Sequence, residues 1–290
     1  MRLVTFQKSG GAPQAGVISG SNVIGLGSAG FGSVIDILAA WPEARARVEQ
    51  AARSGAGVPL NDVKLLAPIP RPPKLICVGL NYRDHAIESK MEIPTVPTIF
   101  NKFPNVVIGP GDPIVLPKNS AKPDYEAEFA FVIGKGGRHI PAERWPEHVF
   151  GYTIVNDVSA RDFQMATSQW LMGKTFDTFA PMGPVLVSAD EVPDPHALDI
   201  ALSINGETLQ QSNTRELIFK IGDLVAFVSS VVTLEPGDVV STGTPSGVGF
   251  ARKPPRFLRA GDQVVVSIQG IGELRNPVVA EGASAAAQES

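Results

Sequence analysis

Two glutamates at spacing two, Glu126 and Glu128, stand inside a run that is otherwise aromatic and aliphatic, residues 125–133. Such a run reads as a strand, and alternate residues of a strand leave the same face. That face cannot be ordinary core. Two like charges buried side by side are very costly unless a cation neutralises them or one carboxylate holds a proton. A solvent-facing strand with alternating acids satisfies the same spacing, but Phe129, Phe131 and Val132 argue for burial. A third carboxylate, Asp157, closes a second apolar run, residues 150–155, where a strand gives way to a loop. Together the three form an all-oxygen set that suits a hard divalent cation, Mg2+ or Mn2+, with open positions for water and substrate.

Around this pair the chain is punctuated by 29 glycines and 25 prolines, which cut it into short β runs at 75–78, 114–116, 126–133, 150–155, 185–188, 200–204, 239–241 and 263–268. Helical patterns are fewer. The best span 159–167 and 214–232, the latter as one helix or two broken near Gly222. The expectation is a mainly β fold with α+β character, helices packed outside, and not a doubly wound α/β sheet. Residues 1–66 carry strand-like pieces (3–6, 15–18, 22–24) and a helix-like stretch, 33–53, and read as a small N-terminal α+β domain. Pro68, Pro70, Pro72 and Pro73 make 67–73 a rigid linker to a catalytic domain at 74–280, with a flexible tail at 281–290.

With 290 residues, no apolar run of membrane-spanning length and a first stretch that lacks a secretory pattern, the chain is expected in the cytoplasm. A formal charge of −4 gives no electrostatic reason for nucleic acid or an anionic membrane as partner. The single cysteine, Cys77, lies in an apolar run and reads as a buried, inert thiol. His139, His148 and His196 sit among prolines and polar residues and receive no role.

Two glycine-rich stretches carry weaker signals. Gly25-Leu26-Gly27-Ser28-Ala29-Gly30 matches the dinucleotide pattern literally, yet its module ends too soon for a dinucleotide fold, so a plain strand-to-helix turn is expected. Thr242-Gly243-Thr244-Pro245-Ser246-Gly247-Val248-Gly249 lacks the lysine of a phosphate loop; it is either a structural turn or a tight loop whose amides and Thr244 hydroxyl face a ligand. In Gly79-Leu80-Asn81-Tyr82-Arg83-Asp84-His85-Ala86-Ile87-Glu88, His85 and Glu88 share a helix face. They form either a surface pair or a base whose tautomer the carboxylate fixes.

These motifs, with Tyr125-Glu126-Ala127-Glu128, Asn156-Asp157-Val158-Ser159-Ala160-Arg161-Asp162 and Gly173-Lys174-Thr175-Phe176-Asp177, closely resemble the fumarylacetoacetate hydrolase family over residues 73–279. Within it the chain looks like a bacterial acylpyruvase or 2-hydroxyhepta-2,4-diene-1,7-dioate isomerase member. The resemblance implies a mixed β-sandwich roll behind a small N-terminal domain, assembled as a homodimer. It implies Glu126, Glu128 and Asp157 as Mg2+ or Mn2+ ligands, and His85 with Glu88 as a dyad on a lid. Lys174 falls beside the metal, Arg161 and Gln164 in the pocket, and Thr244 in the loop that holds a substrate carboxylate; Tyr82 receives no role beyond packing.

The activity implied is metal-dependent hydrolysis of a C–C bond in an acylpyruvate or related β-diketo acid, the departing carbon leaving as an enolate. His85, oriented by Glu88, would deprotonate the attacking water. Oxaloacetate decarboxylation, and isomerisation or hydration of 2-oxo acids in aromatic catabolism, use the same motifs. A non-catalytic binding protein is the third reading, but no metal carboxylate is lost, nor Lys174. The long connection between residues 78 and 114 implies that the lid around 85–93 stands open without ligand.

Overall fold

The computed structural model describes residues 1–54 and 56–282; most of the expected tail, 283–290, lies outside them. The continuous apolar runs form the middle of a twelve-stranded sheet, where Ala127–Ile133 and Val149–Asn156 are buried on both faces. They pair antiparallel, with Ala127 opposite Asn156 and Glu128 opposite Val155. On one side Val149–Asn156 pairs with Ala180–Ser188. On the other, Ala127–Ile133 pairs with Val239–Ser241, which runs parallel to Leu75–Gly79, and the edge strand is Thr98–Lys102.

The first segment continues this sheet. Arg2–Lys8 pairs with Ala180–Ser188, placing Leu3 opposite Leu186. Its helices Val34–Ala39 and Ala44–Ser54 cover the outer face, where Ile37, Leu38 and Val48 join a core with Ala130, Val132 and Phe150. A second, five-stranded sheet is built from Ile114–Leu116, Asp199–Ile204, Glu207–Asn213, Gln263–Ile268 and Gly272–Ala280. Its alternating inner residues Ile200, Leu202, Val264 and Val266 share a core with Phe129 and Tyr152 of the large sheet, so the architecture is mainly β, in layers, with helices outside.

Local chemistry explains where the elements depart from the sequence reading. The stretch expected as one helix at 33–53 is two, because Pro42 cannot continue an α-helix; Ser33 and Asp36 form the capping box of the first. At 159–167 only Arg161–Gln164 is helical, and Ser159–Ala160 pairs with Pro123–Asp124. Within 214–232 the helix is Ile221–Val231, preceded by a 3-10 turn. The strand Glu207–Asn213 was hidden by its polar composition, since Leu209 is its one large apolar residue. Residues 67–73 are packed against the fold rather than free of it: Ile69 is buried, and the Thr5 hydroxyl donates to Pro68 O at 2.9 Å.

Candidate metal and substrate site

Strand register assembles the carboxylates. Because Ala127 faces Asn156, the residue before one strand meets the residue after the other: the Asp157 amide donates to Glu126 O at 2.9 Å, and the Glu126 amide to Asn156 Oδ1 at 3.1 Å. One oxygen from each of Glu126, Glu128 and Asp157 lies within 4.8 Å of the others, and all three residues are buried.

Three cations share this interior. Lys174 Nζ reaches Glu126 at 2.6 Å and Asp157 at 2.7 Å. Arg161 holds Glu126 at 2.6 Å and Asp124 at 2.8 Å, and Lys102 holds Asp157 at 2.5 Å. Lys174, expected beside the metal, is thus joined by Arg161, expected only in the pocket, and by Lys102. Among the described residues Glu128 has only neutral donors, the Ser241 hydroxyl at 2.5 Å and the Gly243 amide at 3.0 Å.

The two glutamates are therefore driven apart. Burial alone would raise the Glu126 carboxyl, but Lys174 and then Arg161 outweigh it and hold it down to about 2. Burial, with Asp157 and Glu126 adding repulsion, pushes Glu128 well above the usual carboxylate range. Burial lowers the Lys102 ammonium, with Asp157 opposing. Four carboxylates thus face three cations, and the uncompensated one is a metal-ligand candidate. The donor set and this charge imbalance fit a hard divalent cation, Mg2+ or Mn2+.

A cavity of about 190 Å³ opens onto the cluster and brings together His85, Glu126, Glu128 and Lys174 with Thr244 and the Arg161–Gln164 pair. Glu88 stands behind His85, its Oε2 3.3 Å from Nδ1, and both its oxygens accept from the Gly247 amide at 3.0 Å. Those amide and imidazole contacts lower the Glu88 carboxyl against the opposing effect of burial. Arg161 Nη1 donates to Gln164 at 2.9 Å, whereas its buried Nη2 has no hydrogen-bond partner among the described residues. The far wall is apolar, formed by Leu80, Met91, Phe100, Met165, Trp170 and Phe250.

Where an open lid was expected, helix Arg83–Ser89 is seated. Ser212 Oγ donates to Asp84 at 2.6 Å, Arg83 donates to Leu217 O at 3.2 Å, and Glu88 takes the Gly247 amide. Beyond it Met91, Ile93 and Val96 are exposed.

Sequence reasoning passed over Lys102, Asp124, Ser241 and Gln210. Lys102 ends the strand Thr98–Lys102, and nothing along the chain says that this strand end meets Asp157. Asp124 accepts from the Gly249 and Phe250 amides and from Arg161, locking the glycine-rich loop to the carboxylate motif. Gln210 lies on the strand hidden by its polarity.

Residues 74–279 match the family described as Fumarylacetoacetate (FAA) hydrolase C-terminal, and residues 1–68 match Rv2993c-like, N-terminal. The chain belongs to the fumarylacetoacetate hydrolase family. It is 46% identical to a mitochondrial oxaloacetate tautomerase of Xenopus laevis, over 96% of this chain and 90% of that protein. Among solved structures it resembles a maleylpyruvate hydrolase from Sphingobium sp. SYK-6 in complex with manganese (II) ion and pyruvate, with TM-score 0.82 and 32% identity over 97% of this chain and 99% of that one. A 5-carboxymethyl-2-hydroxymuconate delta-isomerase from Mycobacterium smegmatis gives TM-score 0.80 and 38% identity, over 98% and 100%.

Proposed function

We propose that the chain is a divalent-cation-dependent enzyme that moves a proton on a small 2-oxo acid, with the keto and enol forms of oxaloacetate as leading substrates. The observation that carries this is the His85–Glu88 dyad on the same cavity as the buried carboxylates. Identity with a relative named an oxaloacetate tautomerase supports the substrate. So does size, since about 190 Å³ is well below the roughly 300–1,000 Å³ of pockets for drug-sized ligands.

Glu126, Glu128 and Asp157 would hold the divalent cation, which would supply Lewis acidity to the bound acid. Glu88 holds Nδ1, so Nε2 of His85 is the acceptor for a proton from the carbon beside the keto group. The imidazolium returns that proton to carbon or to oxygen, which interconverts keto and enol with no net change in atoms. Lys174 commits two of its three donors to Glu126 and Asp157, and Arg161 keeps Nη2; both offset negative charge on the acid.

Hydrolysis of an acylpyruvate is the second reading. It is supported by the likeness to a maleylpyruvate hydrolase and by the same dyad, which can deprotonate water instead of carbon. We include a homodimer in the proposal. The face it would cover is the apolar groove of about 440 Å³ between the edge strand Thr98–Lys102 and Phe227, Val228, Val231 and Val232, and sedimentation at micromolar protein tests it.

A panel with Mg2+ separates the two activities: enol-to-keto conversion of oxaloacetate by its ultraviolet absorbance, and cleavage of acetylpyruvate. The reading expects tautomerisation to dominate and His85→Ala to slow it about 100-fold or more, the usual scale of a positioned base. Faster cleavage of acetylpyruvate would hand the site to hydrolysis, and neither activity would overturn both.

A further inference from the structure

Gln210 is fully buried and joins the strand of the metal carboxylates to the loop that carries Thr244. The Ala127 amide, between Glu126 and Glu128, donates to Gln210 Oε1 at 2.9 Å. A backbone N–H can only donate, so this contact fixes which end of the side-chain amide is oxygen. Its Nε2 then donates to Pro245 O at 2.9 Å, a group that can only accept, and to Thr244 Oγ1 at 2.8 Å. Both amide hydrogens are thereby committed. Thr244 Oγ1 is an acceptor toward Gln210 and must turn its own hydrogen elsewhere. Among the described residues no acceptor takes that hydrogen, and Thr244 lines the cavity.

We infer that Gln210 is a positioning residue: it makes the Thr244 hydroxyl an obligate donor into the cavity, selecting a carboxylate there, and ties that donor to the strand of Glu126 and Glu128. The inference rests on the reading that Thr244 faces the carboxylate of a 2-oxo acid. It deepens that reading by giving the hydroxyl a direction. A hydroxyl without this partner rotates and can donate to the loop itself, which removes its preference for an anion.

The test is a double-mutant cycle on pyruvate binding to the Mn2+-loaded protein, read by titration calorimetry, with Mn2+ affinity measured separately by electron paramagnetic resonance. Thr244→Val should weaken pyruvate roughly 10- to 100-fold, the range for a hydrogen bond to a charged group. In the Gln210→Met background the same change should cost less than about threefold, because the hydroxyl has already lost its direction. Mn2+ affinity should be held within about threefold throughout, whereas a merely structural role would lower it in parallel. Equal losses from Thr244→Val in both backgrounds overturn the role of Gln210 and leave that of Thr244 standing. No loss in either overturns both. If Gln210→Met does not fold, Gln210→Glu keeps an acceptor for Ala127 but presents another to Thr244; pyruvate should weaken about tenfold or more, and unchanged affinity overturns the inference.

Discussion

At the scale of single residues, the carboxylates are not equivalent. Glu126 is held between Lys174 and Arg161, whereas Glu128 rests on a hydroxyl and an amide. Glu128→Gln therefore replaces a carboxyl that no cation contacts and should leave urea stability equal or higher while abolishing a saturable response to Mg2+. Glu126→Ala strips a shared partner from two buried cations and should destabilise by about 3–5 kcal/mol, the cost of breaking a buried pair. Equal urea midpoints for the two variants would contradict this asymmetry. The spacing of Glu126, Glu128 and Asp157 was legible because buried like charges demand a counterion whatever the fold. Lys102 and Gln210 were not, since their roles depend on which strands become neighbours, and spacing along the chain says nothing of that.

Among the elements, the glycine-rich loop and helix Arg83–Ser89 act as one unit. Gly247 has φ +100°, and a Cβ there would lie 2.1 Å from Leu209 O. Gly247→Ala should cost at least about 1–3 kcal/mol in backbone strain and lower kcat as Glu88 loses its amide; wild-type kcat and stability would show that the tether is dispensable. The loop was readable as either a turn or a ligand loop, whereas its hydrogen bond to Glu88 was not, because Gly247 and Glu88 are far apart along the chain.

Helix Ile221–Val231 offers a separate test. Its first amide donates to His196 Nε2 at 3.3 Å, a contact only the unprotonated ring accepts. Burial lowers the His196 pKa and Lys220 adds to it, with Asp194 opposing. The unfolded chain then binds the proton more readily, so this stability is present above the ordinary value of about 6.5 and is lost as pH falls through it toward the lowered folded value. Melting temperatures between pH 8 and 5.5 should fall, and His196→Asn should flatten that slope; an unchanged slope would exclude His196 as its source.

For the molecule as a whole, the twelve-stranded sheet runs through both matched segments. Removing residues 1–73 would bare the edge of Ala180–Ser188 and the face holding Ala130, Val132 and Phe150. The shortened chain should aggregate, as uncovered apolar edges do, and light scattering checks it; a monodisperse, active product would make the first segment an independent module. The layered β character was legible from short apolar runs and turn residues. The sheet's continuity across residues 67–73 was not, because prolines in extended chain look alike whether packed or free. The proposed function has Glu126, Glu128 and Asp157 hold a divalent cation that governs proton transfer on a small 2-oxo acid. Titrating Mg2+ into chelator-stripped protein while following enol-to-keto conversion of oxaloacetate tests it. A saturable rise that vanishes in Glu128→Gln is the predicted result; stripped protein that is already fast, or a Glu128→Gln curve with the wild-type midpoint and height, would contradict it.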